Sequence, residues 1–204
     1  MSHGHCHGEH HDHDDSELGI QYSLFEKIDT MNLQCLNETV DGSGKTVFKP
    51  WELRLDRDKF VESDCDEELI FNIPFTGSVK LKGIKVSAED SSSHPSKLRL
   101  FKNRPGMSFD DVAAEPEQIF ELYRDCDAQL EYATKVAIFS SVTHLTMHFP
   151  SNFGSDTTKI FYIGLKGEWA PAHRHGVTIC NYEVTPNMDD HKLNNLNQAS
   201  RTIS

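Results

Sequence analysis

The sequence predicts an all-β protein, built as an antiparallel sandwich or barrel. Three observations point there. Apolar residues recur at period two in several short runs. Clusters of Gly, Pro, Ser and Asn separate those runs at intervals of roughly ten residues. Segments with helical periodicity are few and short.

The elements follow in chain order. Tyr22–Ile28 reads as a short helix or a strand, and Asn37–Lys45 as a loop. The stretch Asp56–Glu68 carries seven acids against Arg57 and Lys59, the pattern of an exposed surface. Leu69, Phe71, Ile73 and Phe75 then alternate with other residues, and Val79 and Leu81 alternate with Lys80 and Lys82. The phase slips at Gly83 before Ile84 and Val86 resume it, which is how a β-bulge reads in sequence. Leu98 and Leu100 flank Arg99, and Leu145, Met147 and Phe149 flank Thr146 and His148. In that pattern His148 faces solvent on a half-buried strand. The unbroken apolar run Ile160–Leu165 predicts a strand covered on both faces, and Val177–Val184 predicts another strand. Turn chemistry falls at Thr76-Gly77, Ser91–Pro95, Arg104-Pro105-Gly106 and Asn152-Phe153-Gly154. Short helices fit only near Asp110–Ala114 and Leu130–Thr134.

Residues 1–15 stand apart, with His3, His5, His7, His10, His11 and His13 among four acids and no large apolar side chain but Met1. Such a segment cannot bury a core and is expected to be disordered. A polar tail is expected over residues 187–204, leaving one domain over 16–186. The chain has 204 residues, 37% hydrophobic and 25% charged, with net charge −12. That charge disfavours nucleic acid and anionic lipid as partners. No stretch approaches the ~18 apolar residues of a membrane span, and the N-terminus lacks a signal-type apolar core. The expected location is the cytoplasm, with the nucleus also accessible, and the expected state is a monomer. Five widely spaced cysteines without a CxxC read as free thiols.

The motifs that carry chemistry are sparse. Gly42-Ser43-Gly44-Lys45-Thr46 imitates a phosphate-binding loop, but Thr39 stands where that motif needs Gly, and Pro50 soon breaks the chain. The six histidines of residues 1–15, with Cys6, form the best metal-ligating set, suited to Zn, Cu or Ni. His173 and His175 would share a face on a strand but have no third ligand near in sequence, and they read as part of a surface loop. Cys65 and Cys126 each sit between aspartates, which raise a thiol's pKa and make a poor nucleophile. No nucleophile-elbow Gly-x-Ser-x-Gly is present. Neither an enzyme nor a bound cofactor is expected. Asn37-Glu38-Thr39 matches a glycosylation sequon. Between Val79 and Arg104 lie Lys80, Lys82, Lys85, Lys97, Arg99, Lys102 and Arg104 against Glu89 and Asp90. Lys80, Lys82, Lys97, Arg99, Lys102 and Arg104 form the candidate docking surface for an acidic partner. Phe101, Met107 and Phe109 are its candidate apolar anchors, and Leu193, Leu196 and Ile203 of the C-terminal tail are the competing ones. Trp51 and Trp169 are candidate platforms for a sugar-type ligand.

Three stretches reach further. Glu68–Gly83, His94–Asn103 with Met107–Asp111, and Asn152–Ile160 with Tyr162–Trp169 resemble, in order, the hallmark motifs of the PITH domain family. The resemblance covers about residues 16–186. It implies a jelly-roll-like antiparallel β-sandwich, similar to galactose-binding-like domains. It also implies a non-catalytic interaction module whose partner is the proteasome, the 26S particle or its regulatory particle. One branch of the family joins this domain to a thioredoxin domain with a redox cysteine pair; this chain has neither, so redox activity is not implied.

Overall fold

The computed structural model describes residues 21–172. The His-rich residues 1–15, His173 and His175, the strand expected over Val177–Val184, the tail 187–204 and both expected domain boundaries lie outside the described residues.

The described residues form eight strands: β1 (Gln34–Leu36), β2 (Val61–Glu62), β3 (Leu69–Ala88), β4 (Lys97–Lys102), β5 (Gln118–Glu121), β6 (Tyr132–Ala133), β7 (Val142–Phe149) and β8 (Lys159–Pro171). Every pairing is antiparallel, in the order β2-β8-β3-β7-β4-β5, with β1 and β6 also bonded to β3. The twenty-residue β3 organises the fold. Its first half pairs with β1 and β7, as at Ile70, opposite both Leu36 and His148. Its second half pairs with β8 and β6, as at Ile84, opposite both Leu165 and Tyr132. One strand thus belongs to two layers, β1-β3-β7-β4-β5 and β2-β8-β3-β6, and the β7 register shifts between Pro74 and Val79.

Alternation places Leu69, Phe71, Ile73, Val79 and Leu81 of β3 in one core with Leu98, Leu100, Leu145, Met147, Phe149, Ile163 and Leu165. The expected bulge is present. Leu81 pairs with Gly167 and Gly83 with Lys166, so one residue of β3 is left over and Ile84 and Val86 return to the core side. A Cβ at Gly83 would lie 2.8 Å from the Glu131 carboxylate, so a side chain there would push Glu131 aside.

Both layers are also covered on their outer sides. Ile70, Phe101, Met107 and Val112, with Leu36, form one cluster; Tyr22, Trp51, Ala128 and Tyr162 form the other. Burying each large side chain contributes roughly 1.5–3 kcal/mol. The outer cover corrects two sequence expectations. His148 is 2% exposed, not solvent-facing, because β7 is a central strand whose outer face lies under cover. Lys85, read as part of the basic stretch, is 6% exposed; its Nζ donates to the carbonyls of Ala128 (2.8 Å) and Gln129 (3.0 Å).

The short elements are 3-10 turns at Ser23–Lys27, Ser43–Val47, Trp51–Leu53 and Asp111–Ala113. The helix expected near Asp110–Ala114 is thus a single 3-10 turn, and the loop expectation for Asn37–Lys45 misses the turn that begins at Ser43. The helix expected over Leu130–Thr134 is instead β6, paired to Gly83 and Ile84. There the open edge of β3 overrides local propensity.

Candidate interaction surface

The six basic residues do not form one uncompensated patch. Lys80 and Lys82 share a face of β3, as alternation requires, and both reach Glu168 on β8. The others lie on or just after β4, in the other layer. Lys97 pairs with Glu121 (3.5 Å) and Arg104 with Glu117 (2.8 Å). Arg99 donates to the Ala114 carbonyl (2.9 Å), and Lys102 Nζ to the Ile138 carbonyl (2.8 Å). These are exposed or half-exposed contacts of small net value. A partner's carboxylates can therefore take the place of Glu121 or Glu168 at low cost. The two adjacent ammonium groups hold the Glu168 carboxyl below its ordinary range, chiefly through the Lys82 hydrogen bond.

Of the candidate anchors, Phe101 and Met107 are core, 0% and 4% exposed, and only Phe109 reaches the surface at 40%. Phe101 is held beneath the guanidinium groups of Arg99 and Arg104. Asn72 fixes Met107 by bonding both its carbonyl (2.9 Å) and its N–H (3.2 Å), while Thr146 Oγ1 donates to Asn72 Oδ1 (3.0 Å). Beside this network opens a cleft of about 240 Å³ lined by Gln34, Asn72, Arg104, His144 and Thr146. Most of its polar groups are already engaged within the chain. Of the two tryptophans, Trp51 is buried and stacked on Tyr22 (5.5 Å between centroids), so it offers no face to a ligand. Trp169 is exposed, with Lys27 Nζ 5.3 Å above its ring.

Two motifs are occupied by the chain itself. The amides of the Gly42–Thr46 loop close on the Glu38 carboxylate: Gly42 N–H donates at 2.7 Å, Gly44 N–H at 2.6 Å and Ser43 Oγ at 3.1 Å. A carboxylate from the same chain sits where a phosphate would. In the sequon, Asn37 Nδ2 donates to Asp66 Oδ1 (2.7 Å) and to the Glu68 carbonyl (2.8 Å). Asn37 itself is left-handed at φ 66, so it is a structural corner.

Among the described histidines, sequence reasoning missed His94. It is 1% exposed, accepts from Asp125 N–H at Nε2 (3.0 Å) and donates from Nδ1 to the Pro95 carbonyl (2.8 Å). That pattern requires the neutral Nδ1–H tautomer, and burial lowers the ring's pKa accordingly. His94 thereby ties the 91–96 turn to the 122–127 loop; a His-Pro pair in a Ser-rich turn gave no signal of burial. His148 differs. Neither of its ring nitrogens has a hydrogen-bond partner, the Glu68 carboxylate lies 3.6 Å from Nε2, and burial with the nearby Arg99 charge pushes its pKa down to about 4.

The thiols follow their surroundings. Cys65 is exposed, and its bond to Asp64 raises its pKa; burial pushes the Cys35 thiol up. No group of three or more His, Cys, Asp or Glu side chains suited to a metal occurs among the described residues. No helix among them is long and apolar enough to cross a membrane.

A family model described as the PITH domain matches residues 14–186. The chain is 59% identical to "PITH domain-containing protein 1" of Danio rerio, over 95% of this chain and 92% of that one. It is 56% identical to the Homo sapiens protein of the same name, over the full length of both, and 41% identical to that of Dictyostelium discoideum, over 98% of each. Among solved structures, it is similar to the C-terminal domain of a chitobiase from Bacteroides fragilis, at 17% identity and TM-score 0.47, over 71% of this chain and 99% of that one. A Streptococcus pneumoniae fucose binding module is similar at 8% identity and TM-score 0.45, over 67% and 90%.

Proposed function

The chain belongs to the PITH domain family, and on that premise we propose that it is a non-catalytic protein-interaction module that docks on the proteasome, through the 26S particle or its regulatory particle. The observation that carries this reading is the family match over residues 14–186, with the interaction role that the family resemblance implies. The described residues support it in two ways. Their buried histidines and thiols are tied into packing, with pKa values moved away from those of a general base or a nucleophile. Their exposed cations are held by exposed acids that a partner can replace. In this reading the folded domain carries the affinity, and Lys80, Lys82, Lys97, Arg99, Lys102 and Arg104 supply charge complementarity that sets on-rate and orientation. The protein acts as a monomer in the cytoplasm, with access to the nucleus.

Affinity purification of the full chain from cytosol, quantified against an unrelated protein of equal net charge, tests the proposal. Enrichment of regulatory-particle subunits is expected. Recovery equal to the control refutes it. Combined reversal of Lys80, Lys82 and Arg99 to Glu is expected to reduce the enrichment at low salt. Undiminished binding would move the surface elsewhere on the domain.

A further inference from the structure

We propose that the groove between the Val40 turn and Phe60 is a second docking site, which takes one aliphatic side chain of a basic peptide segment. The inference is independent of the proteasome reading. Two adjoining clefts, of about 290 and 270 Å³, share Val40, Ser43 and Phe60. Each lies below the roughly 300–1,000 Å³ of pockets that enclose drug-sized ligands, so each fits a side chain better than a cofactor.

The apolar floor is built and held in place. Val40 is 66% exposed at the first position of a turn closed by Ser43 N–H on its carbonyl (3.0 Å), with Gly42 left-handed at φ 81. Nothing in turn formation calls for a β-branched apolar residue there. Phe60 is half-buried, set edge-on against Phe161 (6.3 Å, 80°), with Lys159 Nζ 4.0 Å from its ring centroid. The Glu38 carboxylate inside the 42–44 loop and the Thr39 bonds to the carbonyls of Glu62 and Ser63 fix one wall. The groove is therefore formed before any partner arrives, which lowers the ordering cost of binding.

Charge identifies the occupant. Asp41, Asp58 and Glu62 line the groove against Lys59; Asp56 and Asp64 lie nearby in the chain, and the intervening Arg57 is paired with Asp127. Lys159 is engaged with the rings of Phe60 and Phe161. A segment with cations on either side of an aliphatic residue would satisfy the rim and fill the floor together. An acidic or purely polar segment would do neither.

The test is fluorescence anisotropy with the full chain and a labelled Ac-Lys-Arg-Leu-Lys-Arg peptide, paired with amide chemical-shift mapping. Binding that weakens with salt is expected. Replacing the peptide's Leu by Ser, or Val40→Ser in the protein, is expected to weaken it several-fold. Asp41→Asn combined with Asp58→Asn is expected to weaken it roughly tenfold. All these protein positions are exposed, so the variants keep the fold. Shifts centred on residues 39–46 and 58–62 support the proposal. Three results overturn it: no binding, shifts centred elsewhere (on residues 173–204, for instance), or concentration-dependent shifts at the groove without peptide, which would make a second copy the occupant.

Discussion

His148 should make folding stability fall steeply with acid, and replacing it with leucine should remove its share of that dependence. The imidazole lies on the covered outer face of β7, 2% exposed, with no hydrogen bond at either nitrogen. Burial first, and the Arg99 guanidinium second, hold its pKa at about 4 against 6.5 in the unfolded chain, although the Glu68 carboxylate lies 3.6 Å from Nε2. A depressed histidine pKa means that the unfolded state binds the proton first. Stability is therefore intact above pH 6.5 and is lost as pH falls toward 4. With about 1.4 kcal/mol per pKa unit, lowering pH from 7 to 4.5 should cost about 2 kcal/mol at this residue alone. Urea unfolding of the parent chain and His148→Leu at both pH values measures it. Other titrating groups, His94 included, cancel in the difference. The variant should also be at least as stable at pH 7, because it removes a buried polar group without partners. Equal pH dependence in the two proteins would refute the reasoning.

Lys85→Ala should cost about 2–4 kcal/mol in the same assay, because the Ala128 and Gln129 carbonyls lose a charged donor; Lys85→Met, which keeps the stem, should cost less. Glu38→Ala should cost about 1–3 kcal/mol and speed amide hydrogen exchange at Gly42 and Gly44, whose N–H groups it leaves without acceptors. Among the described thiols, Cys65 should react first with a disulfide reagent, faster in Asp64→Asn because Asp64 raises its pKa, while Cys35 should wait for unfolding.

The β pattern was legible because burial is periodic. The strands at Leu69–Phe75, Leu98–Leu100, Leu145–Phe149 and Ile160–Leu165 were read from alternation or from an unbroken apolar run, and the phase slip at Gly83 located the bulge. The errors about exposure share one cause: the outer faces are covered by residues remote in sequence. His148 looks solvent-facing between Met147 and Phe149, but the cluster of Ile70, Phe101, Met107 and Val112 shields that side. Lys85 looks like one more surface cation until Tyr22, Trp51 and Tyr162 assemble around it. The apolar run through Tyr162 did predict a two-sided strand, and its neighbour Ser87 on β3 shares that cover. The basic surface was legible as residues and not as charge, because Glu117, Glu121 and Glu168 meet it only across strands. The groove at Val40 and Phe60 joins segments some twenty residues apart, and no periodicity marks it.

The most direct measurement of the central claim is binding of the purified full chain to purified proteasome regulatory particle, by interferometry at 50 and 300 mM salt. Saturable binding is predicted, with an association rate that falls at the higher salt and falls again when Lys80, Lys82 and Arg99 are reversed to Glu. No saturable binding at either salt concentration would contradict it.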